Sequence, residues 1–164
     1  MLDHFRTFAR YNRWANDILY EAAAALPEAD YVADRGAFFG SLHGTLNHVL
    51  VGDRHWLRRV TGEGELPPAL DTILFDDLAG LRAARQAEDA RIVTVVDGLD
   101  PARLPEPLHY RTVGGSPQAE PLAQVLAHLF NHQTHHRGQA SAILTGLGRP
   151  APEMDLIFYL RQAG

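Results

Sequence analysis

The chain has 164 residues, nine histidines, no cysteine and a formal net charge of −5. Without cysteine there is no disulfide, no thiolate metal ligand and no nucleophilic thiol, and the acidic balance argues against nucleic-acid binding through bulk electrostatics. With 46% hydrophobic and 21% charged residues, the composition is that of one globular domain, residues 1–164, long enough to bury roughly 70% of its unfolded surface.

The opening stretch, MLDHFRTFARYNRW, is polar from its third residue and lacks the apolar core of a signal peptide. No uncharged apolar run approaches the ~20 residues of a membrane span. The expectation is a cytoplasmic protein with neither a membrane nor a nucleic-acid partner. Residues 3–25 read as an amphipathic helix, with Phe5, Phe8, Ala9, Asn12, Ala15, Leu19 and Ala22 on one face. Pro27 stops it, and residues 28–37, acidic and containing Gly36, read as a loop. A second helix is expected from about Phe39 to Val60, carrying Leu42, Leu46, Val49, Leu50 and Leu57, and closed by TGEGELPP. A third spans about Asp76 to Asp97, capped by Asp76 or Asp77; its charged middle, RAARQAEDAR, is expected to face water. Prolines and glycines break the pattern over residues 98–119, where LHYRTVGGSPQ suits a short hairpin turning at Gly114-Gly115. A fourth helix begins near Pro121 and ends at Gly146 or Gly148, and a last short one covers MDLIFYLRQ. Four long helices with one long link between the third and fourth predict an all-α fold, a four-helix bundle with a short C-terminal helix.

Four histidines, His128, His132, His135 and His136, crowd into the fourth helix. His132 and His136 are four apart, so their Cβ atoms lie ~6 Å apart on one face. Two imidazoles so placed can meet one metal ion at ~2.0–2.1 Å, the arrangement that recurs in helical zinc sites. The second helix offers His43, His48 and His55. Of these, His48 lies on the apolar stripe, where an unpaired polar group costs on the order of 1–3 kcal/mol. Either metal ligation or a hydrogen bond to a carbonyl or buried acid would satisfy it; the pair on the other helix favours ligation. His135, about 100° around the helix from His136, belongs to the flank. His128 extends the ligand column or lies behind it in the core. His4 and His109 are given no role.

A ligating histidine passes its second N–H to an acceptor, for which Asn47, Asp53, Gln133 and Gln139 are the candidates. Asp53, about 140° around the helix from His48, is better placed for a surface ion pair with an arginine. Arg137 reads as a salt bridge on a helix flank, Gln139 as a pocket residue, and Trp14 and Trp56 as core or interface aromatics before pocket walls.

The stretches YNRWAN (11–16), SLHGTLNHVLVGDRHWLRR (41–59) and LFNHQTHHRGQ (129–139) resemble the DinB/YfiT-like family of metal-dependent proteins, in order and over nearly the whole chain. NHQTHHRGQ is the most specific of them. The resemblance implies an up-down-down-up bundle, frequent homodimers and a three-histidine metal site, which falls residue by residue on His48, His132 and His136. Related bundles are transferases and isomerases dependent on low-molecular-weight thiols such as mycothiol, bacillithiol or glutathione.

Three neutral imidazoles leave a divalent ion its full charge and an open position, the catalytic pattern. Zinc or nickel suits such a shell, with iron or manganese as alternatives. The expected function is a metal-dependent enzyme, a small-thiol-dependent transferase or a hydrolase, acting on a small-molecule substrate. A non-catalytic divalent-metal-binding accessory protein of stress or detoxification is the alternative, and a plain scaffold with hydrogen-bonded histidines the third. No catalytic residue beyond the ligands is assigned. Leu156, Ile157, Phe158 and Leu160 are placed either on a homodimer contact or over the bundle's own core.

Overall fold

A computed structural model describes residues 1–163. In chain order it contains α1 (Leu2–Ala24), α2 (Glu28–Val32), α3 (Leu42–Thr61), α4 (Leu78–Asp97), a 3-10 turn (Pro101–Arg103), β1 (Pro107–Arg111), β2 (Pro117–Pro121), α5 (Leu122–Gly146) and α6 (Leu156–Ala163). The protein is mostly helical, and the four long helices fall where the periodicity predicts them. α3 begins three residues later than expected because Ser41 caps it, its hydroxyl accepting from the Gly44 N–H at 3.0 Å. At its far end Gly62 takes the left-handed conformation, φ 77°, which a side chain would oppose. Asp77 is the cap of α4, accepting from Gly80 N–H at 2.7 Å.

Two stretches depart from expectation. Residues 28–32, read as loop, form the single-turn helix α2: the proline that stops α1 also starts α2, and buried Tyr31 anchors it. The fold is also not purely helical. β1 and β2 pair antiparallel with Leu108 opposite Glu120 and Tyr110 opposite Gln118. The turn between them closes through Gly115 N–H to the Thr112 carbonyl at 2.9 Å, so the hairpin expected around Gly114-Gly115 is present. Among the described residues no helix is long and apolar enough to cross a membrane.

α1 packs against α4 and α5, and α3 packs against the same two helices from the other side. The interior divides into two apolar clusters. One gathers Leu2, Phe5, Leu57, Ile92, Leu126 and Leu129; the other gathers Leu19, Leu42, Leu46, Leu50, Leu81 and Leu144. Each buried leucine contributes about 1.5–3 kcal/mol relative to exposure. A polar belt made by all four long helices separates the clusters: Asn12, Asn16, Asp53, Arg85, Asp89, Gln133 and Arg137, every one buried. Arg85 donates to Asp53 at 2.5 Å and lies 3.0 Å from Asp89. Asn12 and Asn16 donate to Asp89 at 3.2 and 3.0 Å. Gln133 also donates to Asp53, and Arg137 donates to Asn12. Two arginines and two aspartates cancel, which is how charges survive burial.

This belt corrects three expectations. The middle of α4 does not simply face water, because Arg85, Glu88 and Asp89 point inward. Asp53 does pair with an arginine, but in the core rather than at the surface. Arg137 is no flank salt bridge; it lies buried, with its guanidinium over the Tyr11 ring at 5.2 Å.

Candidate metal centre

Beside the polar belt, α3 and α5 bring three imidazoles together. One ring nitrogen each from His48, His132 and His136 lies within 4.8 Å of the other two. Helical spacing sets His132 over His136, with ring centroids 4.4 Å apart, and α3 presents His48 across from both, at 5.1 and 4.5 Å. His48 Nε2 is 3.1 Å from His132 Nε2. Two nitrogens bound to one tetrahedral ion at ~2.0–2.1 Å would stand about 3.3 Å apart, so the two rings already have near-ligand spacing.

The hydrogen bonds behind the rings fix which nitrogens face inward. His48 Nδ1 lies 2.7 Å from the Leu70 carbonyl, which can only accept, so that nitrogen carries the proton. Gln139 settles the second ring: its amide nitrogen lies 3.1 Å from His135 Nε2, which turns Oε1 toward His136 Nδ1 at 2.7 Å. His48 and His136 therefore both direct unprotonated Nε2 lone pairs at the centre, the tautomer a metal ligand needs. His132 Nδ1 is buried and, among the described residues, without a partner. Burial pushes the His132 imidazole down to about 3, helped by His136, His48 and the other nearby rings. It pushes His136 down to about 4, Gln139 pulling the other way. His48 is also lowered by burial, opposed by the Leu70 carbonyl. All three stay neutral at pH 7, with lone pairs free. Converging lone pairs and an all-imidazole donor set fit a divalent cation.

Phe39, pulled out of the start of α3, stacks on His48 with centroids 3.7 Å apart and covers one side of the cluster. On the other side His48, Gly52, His132 and His128 open into a cavity of about 480 Å³, walled by His55, Trp56, Arg59 and Leu70 and by Tyr110 and Val113 of the hairpin region. A second cavity of about 390 Å³ lies beyond Gln139. The first borders two of the three histidines, His48 and His132.

The remaining sequence candidates scatter. His43 turns away, its Nε2 2.9 Å from the Phe75 carbonyl. His55 and His128 line the cavity instead of joining the cluster. His135, exposed, meets only the Gln139 amide nitrogen, at 3.1 Å, and stays outside the cluster. Of the four proposed acceptors only Gln139 meets a clustered ring. Asn47 instead clamps the loop after α3, accepting from Leu74 and Phe75 N–H at 2.9 and 3.1 Å, while Asp53 and Gln133 belong to the polar belt. Trp56 lines the cavity; Trp14 packs on Tyr159 at 5.8 Å. Missed in the sequence were Leu70, whose carbonyl carries no sequence signal, Phe39, and Gly52. The last had one, since a glycine inside a helical pattern often marks a close approach.

The fold and the cluster define a mostly helical protein with a three-histidine centre able to hold a divalent ion. Comparison with known proteins agrees. The chain belongs to the DinB family, whose profile matches residues 1–164. It is similar to the protein DinB of Bacillus subtilis (strain 168), 24% identical over 163 residues that cover 92% of this chain and 90% of the relative.

Proposed function

We propose that His48, His132 and His136 bind one divalent ion, zinc or nickel before iron or manganese, and that the protein is a metal-dependent enzyme. Its chemistry would be that of a transferase using a low-molecular-weight thiol, or of a hydrolase. The observation that carries this reading is the pair of Nε2 lone pairs, on His48 and His136, fixed by Leu70 and Gln139 and aimed at one point beside an open cavity. A bound ion would supply Lewis acidity there, enough to bring the pKa of a water at its open position near ~7 and to ionise a thiol more readily still. The chain's own residues orient and shelter. Leu70 and Gln139 hold the tautomers, Phe39 shields one face, and Trp56 and Tyr110 wall the space where an electrophile would lie. The wide opening beside the cluster favours catalysis over passive metal binding.

The long helices are read as an up-down-down-up four-helix bundle. The Arg10–Asp97 pair at 2.8 Å and the Arg82–Glu21 pair, at opposite ends of α1 and α4, support antiparallel packing of those two. A homodimer is proposed through α6, where Ile157 and Leu160 stay exposed while Tyr159 covers Tyr11 and Trp14; light scattering should return twice the chain mass of 18.1 kDa.

Metal analysis of untagged protein tests the site. About one equivalent is expected after supplementation, and less than ~0.2 equivalents would leave an ordinary helical scaffold. His136→Ala should lose most of the metal. Metal-dependent turnover of thiols with epoxides, chloro-arenes or quinones, with metal-stripped protein as control, separates the enzyme from a passive binder.

A further inference from the structure

The cavity beside the histidine cluster carries an unusual charge balance for a chain of net charge −5. Among the described residues its walls hold one arginine and four histidines, and no carboxylate. The arginine is Arg59. Its guanidinium lies over the Trp56 ring at 4.3 Å and the Tyr110 ring at 4.8 Å, and among the described residues no ion pair or hydrogen bond holds it. Stacking fixes the group and strips part of its water while leaving its N–H edge unspent. His55, only 4% exposed, lines the same cavity and adds no negative charge to it.

The geometry also sets a length. Contacts run without a break from His132 to His128, centroids 5.9 Å apart, from His128 to Trp56 at 4.9 Å, and on to Arg59. His48 and Arg59 are eleven residues apart on α3, about 16 Å along the axis, and both side chains lean the same way.

We propose that this cavity is an anion-binding subsite in which Arg59, braced between Trp56 and Tyr110, takes a carboxylate or similar anionic group of the substrate whose other end reaches the three histidines. The anion-binding part stands on Arg59 and the acid-free walls alone; the two-ended substrate rests on the metal reading above. The ligand class is a small flexible molecule with a thiol at one end and an acid roughly 10 Å away, what remains of the axial rise from His48 to Arg59 after a metal–sulfur bond of ~2.3 Å and a guanidinium-to-carboxyl distance of ~4 Å.

Two measurements test it. Cobalt-loaded protein is titrated with 8-mercaptooctanoate, whose sulfur and carboxyl stand about 10 Å apart when extended, and with its neutral counterpart 8-mercaptooctanol, following the thiolate-to-cobalt absorption. The acid should bind about tenfold more tightly, the scale of a charge-assisted hydrogen bond. Arg59→Gln should erase that difference, and Arg59→Lys should restore part of it. Separately, metal-stripped protein with ¹⁵N-labelled arginine is titrated with hexanoate and hexanol. The Arg59 Nε–H resonance, identified by its loss in Arg59→Gln, should move with hexanoate only. Equal affinities of the two thiols, or a resonance that ignores hexanoate or answers both ligands alike, overturns the subsite. A resonance that follows hexanoate with no thiolate-to-cobalt band supports the subsite and removes the thiol reading instead.

Discussion

Gly52 of α3 faces His132 of α5 at a distance no side chain would allow: a Cβ on Gly52 would stand 2.8 Å from His132 Cε1 and 3.3 Å from its Nδ1. The glycine is therefore the hole into which the middle ring of the cluster fits. Gly52→Ala should leave the helix intact, since alanine is favoured over glycine by about 1 kcal/mol in a helix interior. It should swing His132 away from His48 and weaken metal binding about 10–100-fold, the usual effect of disturbing a ligand's support. Competition against a chromophoric chelator, with circular dichroism alongside, reads both. Wild-type affinity in a folded Gly52→Ala protein would show that His132 does not bind the ion through this geometry.

Acid should release the metal late. Protons compete with a metal for imidazole lone pairs. Three rings at the ordinary value near 6.5 would lose affinity together between pH 7.5 and 5.5, about a thousandfold in all. Here burial lowers His136 to about 4 and His132 to about 3. A lowered pKa means that the folded, metal-free site takes up its proton only at lower pH, so over this window only His48, also lowered, can compete. Zinc affinity should fall no more than about tenfold between pH 7.5 and 5.5. A thousandfold fall would place the rings in water rather than in the packed cluster.

The polar belt should be a stability element that tolerates no half-removal. Arg85, 2% exposed, holds Asp53 and Asp89, 0% and 1% exposed. Burial pushes both carboxyls up, Asp53 to about 7, and Arg85 holds them down. Arg85→Met leaves two buried carboxylates without their cation and should cost about 3–5 kcal/mol in urea unfolding. The deficit should be smaller at pH 5 than at pH 8. Acids whose pKa is raised in the folded state keep protons that the unfolded chain has released, so their penalty grows as pH rises from about 4 through the folded value. Arg82→Ala breaks only the exposed pair with Glu21 and should cost less than about 1 kcal/mol. Equal losses in the two variants would mean that the buried network contributes no more than a surface pair.

How much of this was legible in the sequence divides by the range of the forces involved. Helix spans, the caps at Asp77 and Gly62 and the hairpin turn follow from local propensity and periodicity, and they were readable. So was the meeting of His132 with His136, a consequence of helical pitch. That His48 faces them, and not His43 or His55, depended on the apolar stripe and on the family resemblance. The belt was unreadable. RAARQAEDAR has the composition of a solvated face, and only pairing with Asp53, Asn12 and Asn16 on distant helices makes burial of Arg85 and Asp89 affordable. YNRWAN, which carried part of the resemblance, supplies two of those partners. The Leu70 carbonyl behind His48 left no trace, because every residue has one.

Gln139 reaches the centre at one remove, and its effect should be separable from packing. Its Oε1 fixes the His136 proton on Nδ1 only while its amide nitrogen stays with His135. Gln139→Glu keeps an acceptor for that proton and adds charge behind the ligand; carboxylate–histidine pairs of this kind raise ligand basicity, so zinc should bind at least as tightly as in wild type. Gln139→Leu keeps the volume and removes the acceptor, freeing the ring to take either tautomer, and should weaken zinc about 10–100-fold. His135→Ala leaves Oε1 in place but lets the amide flip, and should fall between wild type and Gln139→Leu. Chelator competition across the three variants gives the order. If Gln139→Leu binds zinc like the wild type, His136 is oriented by the packing of Phe39, which meets its ring edge-on at 5.8 Å, and not by the relay through Gln139.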